Sequence, residues 1–190
     1  MDENKREVIL ESYQPKWKHQ FVKEVSTMYP AFWMCWEAVY HIGSTAIPGV
    51  IAKPIVDILL IVHDVQKSDL FNDAISELGY TPKGAYGIAG RRYFYKGGAL
   101  HTVHIHAFES SSPHVDRHLL FRDYLRAHPS AVQAYSALKQ ELVKQYRYDP
   151  EGYSDAKDGF ITQMDAEALK WKEESNWVRP DTDWIPEGFV

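Results

Sequence analysis

The chain has 190 residues and 22.0 kDa, with 45% apolar and 14% aromatic side chains, enough for a sizeable core in one domain spanning residues 1–190. Its net charge of −5 and isoelectric point near 6.0 argue against a general nucleic-acid or acidic-membrane surface, so neither bulk nucleic acid nor a bilayer is the expected partner. The lone Cys35 cannot form an internal disulfide, and the lack of a signal peptide or of an apolar run of transmembrane length leads to the expectation of a cytoplasmic protein.

Residues 8–10 form a short apolar segment, read as an edge strand or a cover over the core. Pro15 stands at a first helical position, and Trp17, Phe21, Val25 and Met28 recur at helical spacing until Pro30, which is expected to end the helix. Phe32, Trp33 and Trp36 read as packing that leads into a strand at 39–42. A Gly43-Ser44-Thr45 turn and a Pro48-Gly49 turn then lead to the run 55–62. That run is apolar at both parities, as in a central strand covered on both sides, with Asp57 near its head. A half-buried carboxylate there needs a cation, a donor or a metal. Gly43, Ser44 and Thr45 offer backbone N–H groups and hydroxyls suited to a phosphate, and Lys53 brings a positive charge four residues before Asp57. The plain alternative, that Ser44 or Thr45 caps a helix and Asp57 meets nearby N–H groups, stands beside it.

Residues 64–79 predict a helix with Leu70, Phe71, Ala74, Ile75 and Leu78 inward and Gly79 as its stop, followed by a Gly- and Pro-rich loop over 81–90. Segments 91–96 and 99–108 flank Gly97-Gly98, a two-residue hairpin spacing. A turn centred there sets Tyr93 opposite Thr102 and Arg91 opposite His104, with Tyr95 and His106 on the same side. His104 and His106, i and i+2 on a strand and about 7 Å apart, can share one metal or one phosphate; a merely solvated polar face is the competing reading.

Pro113 opens a helix with Val115, Leu119, Leu120 and Tyr124 inward, and His118, Arg122 and Arg126 at spacings of four on another stripe. That stripe reads either as solvated or as a clamp on a triphosphate or acidic substrate facing the cleft of Asp57. Tyr135, Leu138, Leu142 and Tyr146 make the next helix structural. A last helix over 153–174 buries Tyr153, Phe160, Ile161, Met164, Ala168 and Trp171, and Lys157 on that stripe either snorkels outward or points into the cleft. The tail carries Trp177, Trp184 and Phe189 and is not helical; it is expected to dock along the surface or on a second subunit of a homo-oligomer.

The string from His41 to Ile58 (His-Ile-Gly-Ser-Thr-Ala-Ile-Pro-Gly-Val-Ile-Ala-Lys-Pro-Ile-Val-Asp-Ile) resembles the signature of the GrpB family. The resemblance continues through His104-Ile-His106, Phe121-Arg-Asp-Tyr-Leu-Arg126, Tyr135-Ser-Ala-Leu-Lys139 and Lys157 before Phe160-Ile161. Members of that family are similar to nucleotidyltransferases of the DNA polymerase beta superfamily. The resemblance implies an α+β fold with a nucleotidyltransferase-like mixed β-sheet of four or five strands flanked by helices. It divides the chain into a sheet-containing core over about 8–110, a helical C-terminal part over 113–175 and an extended tail over 176–190.

That superfamily carries Gly-Ser followed by an Asp-x-Asp pair and a third carboxylate on a later strand. An ungapped alignment from Gly43 puts Asp57 on the second Asp and Ile55 on the first, while His104 or His106 falls where the third carboxylate is expected. The implied activity is metal-dependent transfer of a nucleotidyl group to a small acceptor, with Asp57 and Lys53 catalytic. The implied phosphate- or nucleotide-binding set is His41, Gly43, Ser44, Thr45, Lys53, Arg91, Arg122, Arg126 and Lys157. Asp57, His104 and His106 are the candidate ligands of a divalent metal (magnesium, manganese or zinc), and their mixed oxygen and nitrogen donors suit the transition metals better than magnesium. The alternative is a non-catalytic nucleotide- or phosphometabolite-binding protein on the same scaffold, with Ile55 marking the lost carboxylate.

Overall fold

The computed structural model describes residues 6–186. Helix α1 (Lys16–Phe32) buries Trp17, Phe21, Val25, Met28 and Phe32 along one face, as the helical spacing requires. Pro30 does not end it. The proline lies inside the last turn, where it removes one N–H, and burial of Phe32 beyond it holds the turn in place.

Strands β1 (Trp36–Ile42), β2 (Val56–Val62), β3 (Tyr80–Pro82), β4 (Arg92–Lys96) and β5 (Val103–Glu109) form one sheet in the order β1-β2-β5-β4-β3. The β2–β5 pair is parallel and the others antiparallel, so the sheet is mixed. The two parities of β2 serve two layers. Ile58, Leu60 and Val62 pack with α1, while Leu59 and Ile61 pack with Val115 and Leu119 of α3 (Pro113–Ala127).

Several boundaries differ from the sequence expectation, each for a local reason. Residues 64–79 are not one helix but a 3-10 turn (Lys67–Phe71) followed by the short α2 (Asn72–Glu77), leaving Leu70 and Ala74 exposed. Asp64 accepts from the Gln66 and Lys67 N–H groups and Ser68 donates to Val65 O, side-chain bonds that compete with a regular helix. Residues 80–82, partly assigned to a loop, pair with β4 as the edge strand β3.

The β4–β5 turn is also longer than two residues. Gly97 adopts a left-handed conformation, a 3-10 turn (Gly98–Leu100) follows, and His101 has φ 38°. The register therefore sets Tyr93 opposite His106 and Tyr95 opposite His104, four residues from the expected pairing, while Arg91 lies just before the strand. Because the slip is even, every side chain keeps its face.

The C-terminal part runs through α3, α4 (Pro129–Gln145), α5 (Pro150–Asp155) and α6 (Asp158–Ser175). The single helix expected over 153–174 is split at Ala156 and Lys157, where Lys157 N–H bonds back to Ser154 O at 3.2 Å in a tightened last turn. The tail docks on the chain's own surface. Asp183 N–H donates to Val39 O (2.8 Å), Val39 N–H to Thr182 Oγ1 (3.1 Å) and His41 N–H to Asp183 Oδ2 (2.9 Å), which covers the outer edge of β1. Trp184 closes the join against Tyr29 and Trp36, and Phe189 lies outside the described residues. Among the described residues no helix is long and apolar enough to cross a membrane.

Candidate functional site

Parallel pairing of β2 and β5 sets Asp57 beside His104 and Leu59 beside His106. One ligating atom from each of Asp57, His104 and His106 lies within 4.8 Å of the others. His104 Nδ1 stands 3.1 Å from Asp57 Oδ1, and His106 Nε2 stands 3.8 Å from the same oxygen. Burial alone would raise the Asp57 carboxyl, but the hydrogen bond from His104 and the charge of the two neighbouring histidines outweigh it and hold it below the usual carboxylate range. Burial also lowers the pKa of His106, and pushes His118, whose ring lies 5.6 Å away on α3, well below the ordinary histidine value.

This donor set fits a divalent transition metal. One carboxylate and two imidazoles suit manganese or zinc better than magnesium. The 3.8 Å between His106 and Asp57 is too long for a hydrogen bond and leaves room for a cation between them. Behind His104 stands His101, with Nδ1 3.0 Å from His104 Nε2, the kind of outer partner that orients a ligating ring.

Beside these residues lies a cavity of about 200 Å³ lined by Ser44, Lys53, Lys139 and Lys157, with Asp57 the one carboxylate among its lining residues. Lys139, only 2% exposed, donates to Ser44 Oγ and to Ile51 O. Burial, reinforced by Lys157 and Arg6, pushes the Lys53 amine down to about 8. Burial also lowers Lys157, with Asp57 acting against it, and sends Lys139 well below its usual value, the other two lysines adding to the effect. Three desolvated amines that repel one another around one carboxylate form a site that gains from an anion. Lys53 and Lys157 stand out in the sequence as site residues; Lys139, which closes the family-like string Tyr135–Lys139, is not among the residues expected there.

Gly43 serves the site through what it lacks. Its backbone sits at φ 68° and ψ −172°, and a Cβ there would lie 2.3 Å from Asp57 Oδ2. The glycine lets the turn cross directly over the carboxylate. Ser44, next to it, reaches the cavity, whereas Thr45 and His41 do not line it. Thr45 Oγ1 donates to Ile55 O at 3.1 Å, so the hydrogen-bond network assigns a proton to His41 Nε2, which donates to Thr45 Oγ1 at 3.0 Å. His41 is buried against Phe21, and burial pushes its pKa down to about 3, so it is a neutral link between β1 and the approach to β2.

The arginines are placed differently from the sequence expectation. Arg91 is buried and donates to Ala85 O and Tyr86 O, holding the 83–90 loop rather than entering the lysine cavity. Arg122, 2% exposed, donates to His41 O (3.1 Å), Asp183 Oδ2 (2.7 Å) and Asp123 Oδ1 (2.8 Å). Arg126 donates twice to Ala46 O and lines a separate cavity of about 510 Å³ with His41, Lys18 and Asp183. Neither lines the cavity of Asp57, because α3 lays Arg122 and Arg126 across the end of β1 and the tail, and only His118 of that stripe reaches β5.

A mixed five-stranded sheet, with the Gly43-Ser44 turn against a carboxylate at the head of β2, defines a nucleotidyltransferase-like α+β fold. At 13% identity, terminal uridylyl transferase 4 from Trypanosoma brucei, solved with bound GTP, shares that fold with a TM-score of 0.50 over 94% of this chain and 63% of that one. Within this class the chain belongs to the GrpB family, whose model, described as GrpB protein, matches residues 7–167. The crystal structure of conserved protein GrpB from Enterococcus faecalis is similar at TM-score 0.83 and 37% identity, over 87% of this chain and 99% of that one. UPF0157 protein YqkA of Bacillus subtilis is 42% identical over 172 residues, which are 90% of this chain and 50% of YqkA, so the chain spans about half the length of that relative.

Proposed function

We propose that this GrpB-family chain binds a small phosphorylated ligand, nucleotides included, and transfers a nucleotidyl group to a small acceptor with the help of a divalent metal. The observation that carries this reading is the cluster of the buried Lys139 and the half-buried Lys53 and Lys157 beside the Asp57, His104 and His106 donor set. Asp57, His104 and His106 would hold the metal, which when bound supplies a Lewis acid at a phosphate oxygen. The chain's own groups divide the remaining work. Lys139 and Lys157, whose amines burial pushes down, regain their protons against a bound phosphate and neutralise its charge from a desolvated position, where each charge counts for more than in water. Ser44 offers a hydroxyl at the turn. Lys53, with its amine at about 8, can release and accept a proton near neutrality, the property required of a group that takes the proton of an acceptor hydroxyl.

A second reading, binding without turnover, is favoured by one specific observation. Ile55 stands where the superfamily pattern carries its first Asp, and its side chain lines the cavity beside Asp57. The two readings separate when the protein is incubated with nucleoside triphosphates, acceptor mixtures and magnesium, manganese or zinc. Pyrophosphate release that depends on the metal and is lost in Asp57→Asn supports transfer. Binding with no turnover under any of these conditions supports the second reading, and absence of any polyphosphate binding overturns both.

A further inference from the structure

The cleft has a second chamber with walls of different chemistry. The cavity of about 200 Å³ around Asp57 and a neighbouring one of about 450 Å³ are both lined by Lys53, His104 and Ser154, so they adjoin across these three side chains. The inner part falls short of the roughly 300–1,000 Å³ of small-molecule sites and suits phosphate groups alone, whereas the two parts together reach that range. The outer part adds Tyr86, Tyr93, His101 and Glu151, with Arg6 at its rim donating to Ala99 O.

Tyr86 is built for display. It is 63% exposed, yet its backbone sits at φ 43°, a conformation that carries a cost for any residue but glycine. The buried Arg91 holds it there by bonding to Ala85 O at 3.1 Å and to Tyr86 O. The Tyr86 ring stacks on Tyr93 with centroids 5.0 Å apart and planes 11° apart, and Tyr93 in turn abuts His104 at 5.4 Å and His106 at 5.3 Å. A strained loop, a buried arginine and two stacked tyrosines thus hold an exposed aromatic face one ring away from the histidines. A purely structural loop has no need of that arrangement.

We infer that the ligand of this cleft carries a nucleobase, which stacks on Tyr86 in the outer chamber while its phosphates lie among the lysines of the inner one. The inference rests on the phosphate reading of the inner cavity. Glu151, the carboxylate of the outer chamber, repels phosphate at that end and can accept from a ring amino group. The cleft therefore prefers nucleotides to sugar phosphates or open-chain phosphometabolites.

The test is calorimetric titration of ATP, CTP, UTP and tripolyphosphate at one fixed manganese concentration. At least one nucleotide is expected to bind about 5- to 150-fold more tightly than tripolyphosphate, the worth of one stacked base. Tyr86→Ala should erase that advantage and Tyr86→Phe keep it, with tripolyphosphate affinity the same in all three proteins. Tyr86→Gly, which relieves the positive φ, should fold at least as stably as the parent and still lose the advantage. Equal binding of nucleotides and tripolyphosphate by the parent, or an advantage that survives in both Tyr86→Ala and Tyr86→Gly, overturns the inference alone. Failure of every polyphosphate to bind overturns the phosphate reading and this inference with it.

Discussion

Gly43 ties the turn to the chemistry more directly than any other residue. At φ 68° and ψ −172° it occupies a region reserved for glycine, and a Cβ would strike the Asp57 carboxylate at 2.3 Å. Gly43→Ala is expected to cost about 1–3 kcal/mol in backbone strain, and more where the carboxylate must move. The steric part is separable. In a double-mutant cycle on chemical denaturation, Gly43→Ala should cost less in an Asp57→Ala background, by a coupling of about 0.5–3 kcal/mol; strict additivity would mean that the glycine serves the turn alone. Gly43, Ser44 and Asp57 are legible in the sequence because a Gly-Ser turn before an apolar strand leaves few other arrangements. The arginines are not, because a spacing of four says that Arg122 and Arg126 share a stripe but not what the stripe faces. Lys139 is half legible: the family-like string Tyr135–Lys139 includes it, but only the facing cavity shows what its ammonium meets.

At the scale of elements, alternation is the reliable signal and turn chemistry the weaker one. Both faces of β2 and the polar face of β5 follow from parity, and parity survives the four-residue slip in hairpin register. The 3-10 segment after Asp64 and the break at Ala156 and Lys157 depend on single side-chain and turn hydrogen bonds that no periodicity reveals. That the tail docks along the surface is legible from its tryptophans, but its seat on β1 is not, since it rests on long-range bonds from Thr182 and Asp183. It yields a test. Asp183 is one of two carboxylates on the buried Arg122, so Asp183→Asn should destabilise the protein by about 1–3 kcal/mol in urea, less than removal of a sole buried partner because Asp123 remains. A loss below about 0.5 kcal/mol would make the tail a passive cover.

For the molecule as a whole, the buried histidines set the acid side of stability. The folded pKa of His41, about 3, lies below its ordinary 6.5, so between those values the unfolded chain binds the additional proton. Stability should therefore fall as pH drops through that window, with a slope of up to about 1.4 kcal/mol per pH unit from this one group. His101, His106 and His118 are shifted in the same direction and steepen the loss. Urea titrations of the metal-free protein at a series of pH values check this, and His41→Gln should flatten the profile below pH 6.5; a variant with an unchanged profile would place the proton uptake elsewhere.

The central claim is that Asp57, His104 and His106 hold one divalent transition metal beside the lysines. The direct measurement is calorimetric titration of manganese and zinc into the parent protein and into Asp57→Asn, His104→Ala and His106→Ala. One ion per chain is expected in the parent, each variant should bind at least about 10-fold more weakly, and the double histidine variant little more weakly than either single one. Equal metal binding by the parent and Asp57→Asn would contradict the claim and leave these side chains a structural cluster between β2 and β5.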